Sequence, residues 1–267
     1  MTQEEFDQHV LHMQLQGYAV LPAILTPDEC AEGIDQLNRL ARQREQGGFE
    51  LLFNKARIFE RSYQVPQLIR FIRHFLGADA LLSSMHGSIL PPGSGGGGLH
   101  ADGAITGHNR SQSLAAADGQ RRITSHIIAL NTIHCLTPFT ATNGATQLVP
   151  GSHLYDGLDL PADHLRQARI VAAEAGSVLV FNVNTWHGSS ANQSEAARYA
   201  VLNPWRRQWT RCEYEVARLV KPEVVDRAGE DGKIIFGQGA TPPYLEMWQW
   251  DREQGGPKGE WAHLHRA

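Results

Sequence analysis

The segment Leu99-His100-Ala101-Asp102-Gly103 places an imidazole and a carboxylate two residues apart. On an extended backbone, residues i and i+2 point to the same face, so both groups can reach one ion. A second histidine from a distant strand would complete a set of two histidines and one carboxylate. Such a facial triad leaves positions open around the metal and suits non-haem Fe(II) and O2 chemistry. His187 is the candidate third ligand. It closes the run GSVLVFNVNTWHGSS, where an apolar strand gives way to a small-residue turn, and so stands at the mouth of a β core. Each piece also has a plainer reading. An HxD pair arises by chance, and a histidine after a strand is often a hydrogen-bonded structural residue. The chain carries 13 histidines, so their number says nothing and their spacing must decide.

Arg198 follows His187 across the turn GSSANQSEAA. A strand, a tight connection and a returning strand would bring both side chains into one cavity. A buried guanidinium needs an anionic partner, and the flanking strands offer no obvious acid. A dicarboxylate co-substrate would supply one through bidentate pairing. The alternative is a surface arginine in a salt bridge.

These groups need a scaffold. Thr2-Gln-Glu-Glu5 and Thr26-Pro-Asp-Glu29 are capping boxes, the second with Pro at the first helical position. They predict helices over 2–16, with Phe6, Val10 and Met13 inward, and from 27 onward, with Ile34, Leu37 and Ala41 inward and an end at Gly47-Gly48. YAVLP (18–22) reads as a short strand, and a third helix is expected around Gln67–Leu76, stopped by Gly77. Beyond residue 78 short apolar runs recur between Gly, Pro, Asn and Ser: 80–90, 123–136, 145–149, 176–183 and 198–203. No helices alternate with them, which argues against a doubly wound parallel sheet and for a sandwich or jelly roll. The expected fold is mainly β with a helical N-terminal layer. It forms a single domain over 1–267, with helical support at 1–78, a β core over about 79–210 and a C-terminal cap at 211–267. PPGSGGGG (91–98) lacks the Lys-Ser/Thr of a phosphate loop and reads as a flexible loop beside a site.

Composition closes other doors. The net charge is −4, with both signs mixed and no basic block, so no nucleic-acid partner is expected. The N-terminus does not read as a signal peptide, and no apolar run approaches a membrane span. The three cysteines (Cys30, Cys135, Cys212) form no CxxC pair. A cytoplasmic protein acting on a small-molecule substrate, possible as a homodimer, is the expectation.

Three ordered blocks resemble the phytanoyl-CoA dioxygenase-like family of Fe(II)- and 2-oxoglutarate-dependent oxygenases. They are LHADG, the stretch NGATQLVPGSH (143–153), and GSVLVFNVNTWHGSSANQSEAAR with its distal His and following Arg. The resemblance implies a double-stranded β-helix (jelly roll, cupin-like) with Fe(II) held at its open end by His100, Asp102 and His187. It implies 2-oxoglutarate chelating that metal, its far carboxylate paired with Arg198, and polar contacts from Asn131, Thr132 and Thr146. In the family the PGSH block is structural, so His153 is not expected on the metal. The implied reaction is oxidation by O2 of an unactivated C–H bond in a small organic metabolite, with 2-oxoglutarate decarboxylated to succinate. Hydroxylation is the default outcome. Related halogenases carry Gly or Ala where Asp102 stands, so halogenation is not expected. No basic cluster is present to bind the phosphates of a CoA thioester.

The segment Thr106–Arg121 reads as a lid, with His108 and Arg110 facing a polar or anionic substrate, or as a solvated loop. Phe49, Phe53, Phe59 and Tyr63 form either an apolar wall of the cavity or core. The run YLEMWQWDREQ (244–254), with Trp248 and Trp250, caps the cavity, folds onto the barrel or packs in a dimer. Two other readings remain: a cupin-like metal-dependent dioxygenase or isomerase that does not use 2-oxoglutarate, and a binding module without turnover.

Overall fold

The computed structural model describes residues 1–43, 48–103, 123–157, 159–238, 250–251 and 256–257. The expected lid over 106–121 lies outside these residues. So does the aromatic run 244–254, apart from Trp250–Asp251, which pairs with Gly256–Pro257.

Helix α1 (Gln3–Gln16) starts at Thr2. The Thr2 hydroxyl accepts from the Glu5 backbone N–H while the Glu5 carboxylate accepts from the Thr2 N–H. Thr26 and Glu29 repeat that exchange at the start of α2 (Pro27–Gln43). Each box satisfies two N–H groups that a helix start would otherwise leave bare. The buried face of α2 is Cys30, Gly33, Leu37 and Leu40. Ala41, expected inward, is exposed, because the 3.6-residue repeat brings Leu40 rather than its neighbour onto the face of Leu37. Helix α3 (Pro66–Leu76) carries Leu68, Ile69, Phe71, Ile72 and Phe75 inward and ends at Gly77.

Strand β1 (Tyr18–Leu21) joins the main sheet. The others in chain order are β2 (Leu81–Leu82), β3 (His86–Leu90), β4 (Ala129–Cys135), β5 (Thr146–Leu148), β6 (Arg169–Ile170), β7 (Val178–Asn182), β8 (His187–Ser189) and β9 (Arg198–Arg206). The larger sheet runs β1-β7-β4-β9-β2, with β3 also on β9, and the smaller runs β6-β5-β8. Every pairing is antiparallel. This is the jelly roll that the run of short strands predicted. The single expected strand over 80–90 divides into β2 and β3, with buried Ser83 and Ser84 between them.

The larger sheet is buried on both faces. Along β7, Val178 and Val180 pack into the cluster formed with the helices, while Leu179 and Phe181 join the cluster between the sheets. Full burial of each such side chain is worth about 1.5–3 kcal/mol, so the sheet is clamped from both sides. On β4 the same alternation sends Leu130 to the helical side and Ile133 and Cys135 to the sandwich interior. Phe53, Phe59 and Tyr63 are core of the helical layer, and Phe49 packs against it. None of the four lines the cavity described below. The helix Pro222–Ile235, which buries Val224 and Val225, stands in the region expected as a C-terminal cap.

Candidate metal centre and its cavity

His100 and His187 face each other across a two-residue antiparallel bridge. The N–H of each donates to the carbonyl of the other, at 2.9 and 2.8 Å. Residues directly opposite in an antiparallel pair project to one face, and the two imidazole centroids are 4.6 Å apart. Asp102, two residues beyond His100, comes to the same face. The carboxylate oxygens lie 3.3 Å from His100 Nε2 and 3.4 Å from His187 Nε2. One ligand atom from each of the three residues lies within 4.8 Å of the others.

The rings are aimed from behind. His100 Nδ1 meets the Gly98 carbonyl at 3.0 Å, and His187 Nδ1 meets the Thr185 carbonyl at 2.9 Å. A carbonyl only accepts, so each Nδ1 carries the proton and each Nε2 turns toward Asp102. Phe181 holds the His187 ring from the side, with centroids 4.4 Å apart. The glycine-rich stretch before His100 lies along β8. The Gly97 N–H donates to the Ser189 carbonyl, and a Cβ on Gly188 would stand 2.9 Å from both the Gly97 and Gly98 oxygens. That close backbone approach is what these glycines permit. Burial alone would raise the Asp102 carboxyl, but hydrogen bonds and charge from His100 and His187 hold it far below its ordinary range.

A cavity of about 590 Å³ opens from this centre. It is lined by Ser88, Leu90, Asn131, Ile133, Thr146, Phe181, Arg198 and Leu202, and by His86 and Glu213 at one side. Strand alternation explains the set. Asn131 and Ile133 point inward from β4, and His86, Ser88 and Leu90 point inward from β3.

Arg198 opens β9, is 6% exposed and lines the cavity. Its Nη2 donates to Ser88 Oγ at 3.3 Å, and the guanidinium lies 4.7 Å over the Phe139 ring. Its Nε has no hydrogen-bond partner and no carboxylate pairs with it among the described residues. Burial pulls its pKa below the ordinary arginine value. A buried cation with one neutral hydrogen bond fits an anionic group arriving from the cavity.

Asn131 Nδ2 donates to Asp102 Oδ2 at 2.7 Å and so fixes the carboxylate. Thr146, on β5 and 4% exposed, lines the cavity. Thr132 does not. It faces the helical side, where its hydroxyl accepts from Trp205 Nε1 at 3.3 Å and donates to the Asn203 carbonyl at 3.2 Å. Neighbours on a strand cannot share a face, so Asn131 and Thr132 cannot both meet one ligand. His153 is buried with Nε2 on the Gln14 carbonyl at 3.0 Å and stands outside the triad, in keeping with its structural reading.

Sequence reasoning missed Ser88, His86 and Glu213. The signal was the alternation His86, Ser88, Leu90 within MHGSIL, which sets two polar side chains on one face of a strand.

The chain matches the family model described as Phytanoyl-CoA dioxygenase (PhyH) over residues 13–200. An uncharacterized protein of Mycobacterium tuberculosis is 27% identical over 78% of each chain. Dioxygenase af480 of Aspergillus fumigatus is 26% identical over 72% of this chain and 63% of that one. The solved structure of the epimerase SnoN, in complex with Fe3+, alpha ketoglutarate and nogalamycin RO, has a TM-score of 0.62 to this fold. Its sequence identity is 16%, over 78% of this chain and 85% of that chain.

Proposed function

We propose, on the premise that this chain belongs to the phytanoyl-CoA dioxygenase family, that it is an Fe(II)- and 2-oxoglutarate-dependent dioxygenase that hydroxylates a small organic substrate. The observation that carries the reading is one cavity holding both the His100–Asp102–His187 cluster and a buried arginine that no acid pairs among the described residues. Two imidazoles and a carboxylate with an open cavity side form the donor set of a non-haem iron site. Arg198 supplies the charge and fork geometry for the far carboxylate of 2-oxoglutarate, with Ser88 and Thr146 as neighbouring hydroxyl groups.

Iron held by His100, Asp102 and His187 would, with 2-oxoglutarate and O2, supply the oxidising power: one oxygen atom would go to substrate and the other to succinate as carbon dioxide leaves. The chain's own residues hold and aim. His100 and His187 present Nε2 because the Gly98 and Thr185 carbonyls hold their Nδ1 protons. Asn131 keeps Asp102 from rotating away. Phe181, Ile133 and Leu202 give the cavity an apolar side against which a substrate can pack. Asp102 would serve as the carboxylate ligand and leave no vacated ligand position for a halide, so transfer of oxygen rather than halogen is the reading.

Anaerobic loading with Fe(II), then 2-oxoglutarate, tests it. A weak visible charge-transfer band would mark the keto acid on the metal, and succinate release on admitting air would follow. No band with iron demonstrably bound would overturn the co-substrate assignment in favour of a cupin-like oxygenase. With a substrate in hand, gain of one oxygen atom supports hydroxylation, whereas a product of unchanged mass would replace it with epimerisation, the activity named for SnoN.

A further inference from the structure

At the side of the cavity, away from Arg198, stands a polar group that the metal centre does not use. The β-sheet register places His86 opposite Leu202, four residues along β9 from Arg198 toward the level of Asn131. Asn131 lies two strands over and two residues along, so the strand lattice puts the two Cα atoms roughly 10–12 Å apart. His86 is therefore within reach of a small molecule that also reaches the metal centre.

His86 is held from behind. Its Nδ1 is hydrogen-bonded to Glu50 Oε2, and that carboxylate also accepts from the Tyr214 hydroxyl at 3.1 Å. Glu50 does not line the cavity, whereas His86 and Glu213 do. Glu213 is held in turn. Its Oε1 accepts from Arg206 Nη2 at 2.6 Å, and its backbone N–H donates to Ser83 Oγ at 2.7 Å. What remains toward the cavity is His86 Nε2 and Glu213 Oε2, 3.8 Å apart.

That spacing is too long for a direct hydrogen bond. It suits an oxygen seated between the two atoms, accepting from the imidazole N–H and donating its own proton to the carboxylate. The charges argue for the kind of oxygen. Burial opposes charge on His86, but the neighbouring Glu213 and Glu50 carboxylates raise its pKa, so it carries its proton more readily than a free imidazole. Two carboxylates then stand against His86 and Arg206, and the cluster is neutral overall. It attracts neither an anion nor a cation by net charge, yet it offers a donor and an acceptor side by side.

We infer that His86 and Glu213 are the substrate-reading pair of this cavity and that they take a hydroxyl group, so the substrate is a neutral alcohol rather than an amine or an acid. This rests on the oxygenase reading above, because the same cavity must hold the co-substrate. A hydroxyl can accept from the imidazole N–H and donate to the carboxylate at once, the pattern a bridging oxygen makes. An ammonium would lose its match to His86, and a carboxylate would confront Glu213.

The test uses three probes of one shape, cyclohexanol, cyclohexylammonium and cyclohexanecarboxylate, with the full chain loaded with Ni(II) and 2-oxoglutarate. Ligand-observed saturation-transfer NMR reads each affinity, and uptake of 2-oxoglutarate is titrated on the same samples. Cyclohexanol should bind best, and Glu213→Gln and His86→Phe should each weaken it about tenfold, the cost of losing a hydrogen bond to a charged group. Preference for the ammonium or the carboxylate, or equal cyclohexanol affinity in wild type and in variants that still take up 2-oxoglutarate, would overturn the inference. Failure of the wild type to take up 2-oxoglutarate would instead strike the functional reading beneath it.

Discussion

Replacing Arg198 by Met separates a ligand-binding arginine from a structural one by the sign of two effects. Arg198 is 6% exposed, the only side-chain hydrogen bond it makes among the described residues is to Ser88 at 3.3 Å, and its Nε has no partner among them. In the ligand-free protein that charge is a net cost, offset in part by the Phe139 ring. Methionine fills similar volume without charge, so the metal-free, ligand-free protein should hold its stability or gain about 1 kcal/mol, a rise of about 2–4 °C in Tm for a chain of this size. The opposite sign is expected for 2-oxoglutarate. Two charge-assisted hydrogen bonds from the fork to a carboxylate contribute together about 3–5 kcal/mol, so Kd should rise by about two to four decades. Arg198→Lys keeps the charge and loses the fork, and should fall between wild type and Met. Calorimetric titration of 2-oxoglutarate into the Ni(II)-loaded protein reads Kd, and a thermal melt of the same variants reads Tm. A melt lowered by many degrees with Kd within threefold of wild type would refute the reasoning and make Arg198 a structural residue.

The neighbouring pair on β4 should respond in opposite ways. Asn131→Ala frees the Asp102 carboxylate that it now bonds at 2.7 Å and should weaken metal affinity about 10–100-fold, read by metal titration. Thr132→Val, one residue on, removes the partner of Trp205 Nε1 and should cost about 1 kcal/mol in urea melts while leaving metal affinity unchanged. Gly188→Ala drives a methyl against the Gly97 and Gly98 oxygens at 2.9 Å, and should cost about 1–3 kcal/mol along with metal affinity, because Gly98 aims His100. His134 gives a pH signature. Burial lowers its pKa from 6.5 to about 3, so the folded chain keeps it neutral while the unfolded chain takes up a proton below 6.5. The stability it contributes is complete above that value and is lost as pH falls toward 3, about 2 kcal/mol of it by pH 5. Urea melts at pH 8 and pH 5 should show that slope in wild type and a slope shallower by that amount in His134→Gln; equal slopes would exclude His134 as its source.

The sequence by itself determined the N-terminal helices and the residue types gathered at the candidate centre. Capping boxes at Thr2 and Thr26 announce the helices because they satisfy backbone groups locally. His100 and Asp102 are readable as a pair because an i, i+2 spacing on extended backbone leaves one geometric outcome. The spacing from His187 to Arg198 speaks of a strand, a turn and a return, and β8 and β9 bear it out. What only the tertiary structure decided is which face each strand presents. Strand β4 is buried on both sides, so the alternation in ALNTIHC carries no inside or outside label, and both Asn131 and Thr132 look eligible until β7 and β9 fix the register. The His86–Glu50–Glu213 group was hidden for the same kind of reason. Its members lie 36 and 127 residues apart in the chain, and no local spacing rule joins groups that meet only when β3 packs on β9 and the residues after β9 fold back over it.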